Sequence, residues 1–278
     1  MSFNKTRSLF ILLLILIHPT LSLAICSETP DKFNEWMSDA REQALKKGIN
    51  ADVVNKVFSN IKYRDATVSL DRKMFTAPPL SFQEYISGIA TSNIIERGEK
   101  IKKEYQALFQ KIQKDYGVPA GILITLWGLE SRFGDRMGEV PTFSTLATLA
   151  YDCRRSALFT EQFFVALELV NQGIISAESR GALHGEIGPF QFLPSNVKKF
   201  SVDGDGDGKA SIITSNIDAI ESAANFLKKN GWTKNKGYQP KEKNFLILKR
   251  WNASTNYIKA VAYIAAHIDG IRLKDGYQ

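Results

Sequence analysis

Between Ile122 and Leu129 the chain reads Ile-Leu-Ile-Thr-Leu-Trp-Gly-Leu, apolar at nearly every position. Gly117-Val118-Pro119 ends whatever precedes it and starts a new helix, and Gly134 is a plausible stop. A helix that is apolar all round must be buried all round. The remaining segments therefore have to wrap it, and their apolar spacing is mostly helical. Phe33, Trp36, Met37, Ala40 and Ala44 recur at helical intervals after Thr29-Pro30, which reads as a helix start. A short helix is expected over 51–60, and longer ones over 94–116, 157–172, 218–230 and 256–268. The stretch 65–82, with Pro78-Pro79, reads as irregular, and one or two small hairpins are expected between Gly181 and Phe200. The expected class is mainly α, with little β structure.

The first residues have a separate purpose. Lys5 and Arg7 precede an apolar run from Leu9 to Ile17, Pro19 breaks it, and Ser22-Leu23-Ala24 offers small residues at a cleavage point. This is the pattern of a secretory signal peptide over 1–24, and the run is short for a membrane span. A single membrane anchor is the bland alternative. Lipidation at Cys26 is disfavoured because Ile25 is bulky where such sites take Gly or Ala. The formal charge is +7, and removing Lys5 and Arg7 (two charges) leaves +5. That suits an anionic polymer or membrane surface, without the dense Lys/Arg stripe of a nucleic-acid binder. Export permits a disulfide between the two cysteines, Cys26 and Cys153; their spacing is not a metal motif.

Four segments carry candidate chemistry. Glu130 ends the buried helix, in Trp127-Gly128-Leu129-Glu130-Ser131-Arg132-Phe133-Gly134. Burial and the negative end of the helix dipole should both raise its pKa. A carboxylic acid protonated near neutrality is what a glycosidase needs to protonate a leaving oxygen. The plainer reading is a salt bridge to Arg132 or Arg136, or a helix-end carboxylate in solvent. The second segment, Gly185 to Ser195, sets two glycines, two prolines and Gln191 among apolar residues, as in a tight loop held close to a ligand or in an ordinary packed turn. The third, Val202 to Gly208, has the opening spacing of a calcium loop. Asp203, Asp205 and Asp207 stand at positions one, three and five and Ser211 at nine, but Thr214 stands at twelve, where a bidentate Glu belongs. A Gly/Asp turn with no ion reads equally well. The fourth, Lys249 to Tyr257, sets Trp251 and Tyr257 beside Asn252 and Asn256. Such a mix suits sugar faces and hydroxyl groups, or simply a helix start capped by Ser254 or Thr255.

Taken in this order, with Asp71-Arg72-Lys73 to Tyr85 and Thr145-Leu146-Ala147 to Arg154-Arg155, the segments resemble the membrane-bound lytic murein transglycosylase B family over most of 30–270. The resemblance implies a lysozyme-like α-rich core at 116–278, with a cation-loop insertion near 203–214, and a helical accessory region at 25–115. It implies a periplasmic enzyme acting on peptidoglycan glycan strands, with no required cofactor beyond a possible structural Ca2+. It implies cleavage of the β-1,4 bond between N-acetylmuramic acid and N-acetylglucosamine without water, leaving 1,6-anhydro ends. Glu130 falls on the catalytic acid/base, and Gln191, Phe226, Trp251, Asn252 and Tyr257 fall on cleft positions. Asp203, Asp205, Asp207 and Ser211 fall on the cation loop. Four positions depart from the family pattern: Ala182 replaces a common Ser, Phe226 a common Tyr, Pro189 a polar or aromatic residue, and Ser211 an acidic one. A hydrolytic muramidase on the same fold and a non-catalytic glycan binder are the competing readings.

Overall fold

A computed structural model of the chain describes residues 26–73, 78, 80–89 and 91–277; the expected signal peptide at 1–24 lies outside the described residues. The chain runs through α1 (Phe33–Lys46), α2 (Ala51–Phe58), α3 (Asp65–Lys73), α4 (Phe82–Ser87), α5 (Thr91–Glu104), α6 (Gln106–Asp115) and α7 (Ala120–Ser131). It continues through α8 (Thr142–Tyr151), α9 (Ser156–Asn171), α10 (Pro194–Phe200), α11 (Asn216–Lys229) and α12 (Thr255–Asp269). Among the described residues the only sheet pairs β1 (Val140–Pro141) with β2 (Arg180–Gly181), antiparallel, Val140 opposite Gly181.

The buried helix expected before Glu130 is α7, and ten of its twelve residues are buried. Ile122, Leu123, Ile124, Leu126 and Trp127 contribute on the order of 10 kcal/mol of gross transfer free energy. Helix α7 lies against α12 and α5. Two glycines permit this closeness. A Cβ on Gly121 would meet Ala265 O at 2.5 Å, and one on Gly98 would meet Ile124 Cγ2 and Ile268 Cδ1 at 2.8 Å. A second layer is made by α8 and α9, with α1 and α3 packed on α8 and α2 on α9. One cluster of buried side chains spans Phe33 to Ile268, so the helices before residue 116 share the core of those after it.

Three expectations need correction. The segment read as irregular from residue 65 begins with α3 and ends at α4. The buried side of α3 is Thr67, Val68 and Asp71, so it carries no apolar stripe to betray it. The single helix read over 94–116 is two, α5 and α6, which part at Tyr105 where its ring meets Trp127 edge-on at 6.4 Å. Between Gly181 and Phe200 the hairpin is only an Ile187–Phe192 bridge within turns, and α10 follows it, with Pro194 in its first turn.

Cys26 and Cys153 form a disulfide across 127 residues. The adjoining backbone reinforces it: Ser27 N–H donates to Tyr151 O at 3.0 Å, and Ser27 bridges Asp152.

Candidate active site

Three sequence-distant segments converge at the C-terminal end of α7. The helix stops because Arg132 (φ 51°), Phe133 (φ 62°) and Gly134 (φ 89°) all turn left-handed. Two of these residues carry side chains, so the turn is strained by about 1–3 kcal/mol each. Its surroundings hold it in place. Ser131 Oγ donates to Pro189 O at 2.6 Å and accepts from Gly134 N–H at 2.9 Å. Arg97 of α5 lies over the Phe133 ring at 4.8 Å. The same turn leaves Glu130, in the last helical turn, facing a cavity.

Glu130 makes no pair with Arg132 or Arg136 among the described contacts. Trp251 Nε1 instead donates to its Oε1 at 2.8 Å, and the Tyr257 hydroxyl donates to the same oxygen. Among the described residues nothing bonds Oε2. The side chain is half-buried: it meets solvent through the cavity while protein surrounds it on most sides. Burial raises its pKa above the ordinary 4.5; the Tyr257 and Trp251 bonds oppose the rise, and the negative charge of Glu186 adds to it. The same carboxyl, with burial, holds the buried Tyr257 phenol well above its usual value.

Both partners owe their positions to local signals. Ser254 caps α12 by accepting the Tyr257 N–H, which turns Tyr257 inward from the first turn. Trp251 is set by aromatic neighbours: Phe226 at 5.1 Å, Phe192 at 5.3 Å and Phe190 at 6.1 Å. Phe226, read from the sequence as a cleft residue, is buried and packs its ring against Trp251. A phenylalanine suits that dry place, since it carries no hydroxyl to satisfy.

The cavity measures about 340 Å³. Its wall includes Glu130, Gln191, Trp251 and Asn252, four of the residues singled out in the sequence, and also Glu186 and Asn196. Gln191 (φ 50°) donates its amide to Gly188 O at 2.7 Å and Met137 O at 3.1 Å, which leaves its Oε1 as the acceptor available to a ligand. Beyond the Tyr257–Glu130 contact lies a second cavity of about 520 Å³, walled by Tyr85, Leu129, Phe133 and Tyr257 among others. The two cavities lie near each other: Glu130 lines the first, and its neighbour Leu129 and partner Tyr257 line the second. The acidic residues near Glu130 in sequence lie elsewhere: Asp135 pairs with Arg97 in solvent and Glu139 is exposed.

The loop at 203–214 is less as expected. The carboxylates that gather within 4.8 Å of one another are Asp203, Asp205 and Asp218. Asp207 is not among them; its Oδ1 accepts the Lys209 N–H at 2.8 Å. Ser211 offers a backbone N–H to Asp218 Oδ2 rather than a hydroxyl to the cluster. Asp218 comes from the first turn of α11 and fills the place for which the loop itself has no acid at Thr214. The donors are all oxygens, as a hard cation requires.

Comparison with known proteins fixes the family. Residues 32–243 match the family described as Transglycosylase SLT domain. The chain belongs to that family. It is 27% identical over 199 residues to membrane-bound lytic murein transglycosylase B of Escherichia coli (strain K12). That match takes in 68% of this chain and 55% of the relative, so this chain corresponds to little more than half of that protein's length. The fold resembles SltB3 of Pseudomonas aeruginosa, solved in complex with NAG-anhNAM-pentapeptide, with a TM-score of 0.79, 25% identity, and 88% and 81% of the two chains covered. It also resembles the Escherichia coli lytic transglycosylase Slt35 in complex with calcium, with a TM-score of 0.76, 20% identity, and 91% and 98% covered; this second likeness concerns the fold alone. The expected mainly α fold of this family is the one observed.

Proposed function

We propose that the chain is a peptidoglycan lytic transglycosylase with Glu130 as its one acid/base. The observation that carries this is a carboxyl at the tip of a buried helix, gripped on Oε1 by Trp251 and Tyr257 and facing a cavity lined with amides. The family, and a relative solved with an anhydro-muramyl glycopeptide, support the reading.

The geometry suits a reaction that uses one carboxyl twice. Glu130, kept protonated by burial, gives its proton to the glycosidic oxygen. The substrate acetamido oxygen closes onto the anomeric carbon as the leaving oxygen departs with the bonding pair. Tyr257 and Trp251 then stabilise the carboxylate just formed, which is why two donors on one oxygen serve the second half of the cycle. That carboxylate takes the proton of the muramyl 6-hydroxyl, and O6 displaces the acetamido oxygen from the anomeric carbon. Gln191, Asn252 and Trp251 hold sugar rings and substituents.

Asp203, Asp205 and Asp218 would hold a calcium ion, whose charge would fasten the loop after α10 to the start of α11, the helix that backs Trp251. Export to the periplasm through the signal peptide at 1–24 is the matching location, and the disulfide accords with an oxidising compartment. A thiol engaged with Cys153 is not available for lipidation, which supports a released rather than lipid-anchored form.

Digestion of purified sacculi followed by mass spectrometry tests the proposal. Muropeptides one water lighter than reducing ends are expected from the wild type, and none from Glu130→Gln. Reducing ends alone would identify a muramidase instead, and sacculi bound without release of fragments would identify a glycan-binding protein.

A further inference from the structure

Glu130 shares its cavity with a second carboxylate. Glu186 lines the same wall, and its charge bears on Glu130. It is held from behind by a relay. Glu186 Oε2 accepts the His184 backbone N–H at 2.9 Å, and its Oε1 lies 3.2 Å from His184 Nδ1. His184 Nε2 lies 3.0 Å from Oδ1 of Asp71, a side chain 2% exposed. Asp71 also pairs with Arg154 and Arg155, next to the disulfide at Cys153. With a carboxylate oxygen beside each of its nitrogens, the ring links Glu186 to Asp71, a buried anchor 113 residues before His184. Burial alone would raise the Glu186 pKa, but the hydrogen bonds and charge of His184 outweigh it and hold the carboxyl below its ordinary range.

The cavity thus contains one carboxyl fit to donate a proton and one fixed as an anion, two environments pushed apart. A carboxylate held below its ordinary range is a weak base toward water. It is a strong partner for an N–H donor and for positive charge in a partly closed site. On the transglycosylase reading, positive charge develops at the anomeric carbon and passes to the acetamido nitrogen as the carbonyl oxygen closes. We infer that Glu186 is a second catalytic residue, which accepts the N–H of the substrate's 2-acetamido group, aims its carbonyl oxygen at the anomeric carbon and stabilises the cyclic cation. His184 and Asp71 are positioning residues. Glu186 takes no proton: Glu130 gives one to the leaving oxygen and recovers one from the 6-hydroxyl, so the cycle balances without it.

The test compares kcat, KM, pH profile and products of the wild type, Glu186→Gln and Glu186→Asp on sacculi. Glu130 faces Tyr257 of α12, Tyr85 of α4, Trp251 and Glu186; Glu186 faces His184, Arg155 and Glu130. Glu186→Gln is expected to lower kcat roughly tenfold to a hundredfold with little change in KM. Its alkaline limb is expected to move to lower pH, because Glu130 loses a neighbouring negative charge. Products are expected to stay anhydro. Glu186→Asp keeps the charge and is expected to restore the alkaline limb and part of kcat. A Glu186→Gln enzyme with wild-type kcat and pH limb overturns the inference. So does one that loses reducing ends while forming anhydro ends at the normal rate, which would make Glu186 a water activator. Should Glu186→Gln not fold, Glu186→Asp decides alone, and an unchanged kcat overturns the inference. A wild type that releases no anhydro fragments sinks the transglycosylase reading itself, whereas an active wild type, a dead Glu130→Gln and an unaffected Glu186→Gln sink only the role of Glu186.

Discussion

The Tyr257 hydroxyl donates to Oε1 of Glu130, joining the first turn of α12 to the last turn of α7 across 127 residues. The bond favours the ionised carboxyl and opposes the burial that favours the neutral one. Tyr257→Phe removes only the donor. The Glu130 pKa should then rise, and the alkaline limb of kcat/KM should move to higher pH. The plateau rate should fall roughly tenfold, because the carboxylate needed for the second step loses a charge-assisted bond. A pH–rate series on labelled sacculi reads both effects, and an unmoved limb would mean that the bond does not tune the acid.

Glu130 should cost the protein stability at neutral pH. Its folded pKa is raised above the unfolded value, so between the two the native state binds more protons and stability falls as pH rises. Glu130→Gln should therefore melt higher than the wild type at pH 7, and the gap should narrow as pH drops to about 4, near the ordinary glutamate value. Melting curves at several pH values check this. A variant less stable than wild type at pH 7 would contradict it.

The disulfide closes the chain from residue 26 to residue 153 into one loop. Restricting a loop of 127 residues removes unfolded-chain entropy worth about 2–5 kcal/mol. Reduction, or Cys153→Ser, should lower the unfolding free energy by that amount, measured by denaturant titration followed by fluorescence with and without reductant. Intact mass should rise by two hydrogens on reduction, and an unchanged mass would exclude the bond in the purified protein.

If Asp203, Asp205 and Asp218 hold calcium, added Ca2+ should raise the melting temperature and a chelator should reverse it. The gain at a hundredfold excess over Kd is about 2.7 kcal/mol. Asp218→Asn should abolish the calcium-dependent increment, whatever it does to the baseline through its bonds to the N–H groups of Gly204 and Ser211. Asp207→Asn, outside the cluster, should retain the increment. Equal losses in both variants would return the site to the loop as spaced in the sequence.

Much of this protein was legible in its residues because the signals are local. An eight-residue apolar run declares its own burial, and the carboxyl that ends it is then at the rim of the core. Helices α1, α9, α11 and α12 announce themselves by spacing, and Ser254 by its place before α12. Helix α3 does not, because its inward face is polar: Asp71 turns in only because Arg154, Arg155 and His184 are waiting there from other segments. For the same reason Glu186 is one residue in a glycine-rich loop until the fold sets it beside Glu130. Asp218 looks like an ordinary helix-start acid until the loop at 203–208 curls onto it. The packing of Phe226 against Trp251 is likewise invisible to spacing, which cannot say which side of the indole a ring will take. Composition and periodicity settle which residues leave water. Which charges then meet across a hundred residues is decided by packing, where each buried group must find its partner.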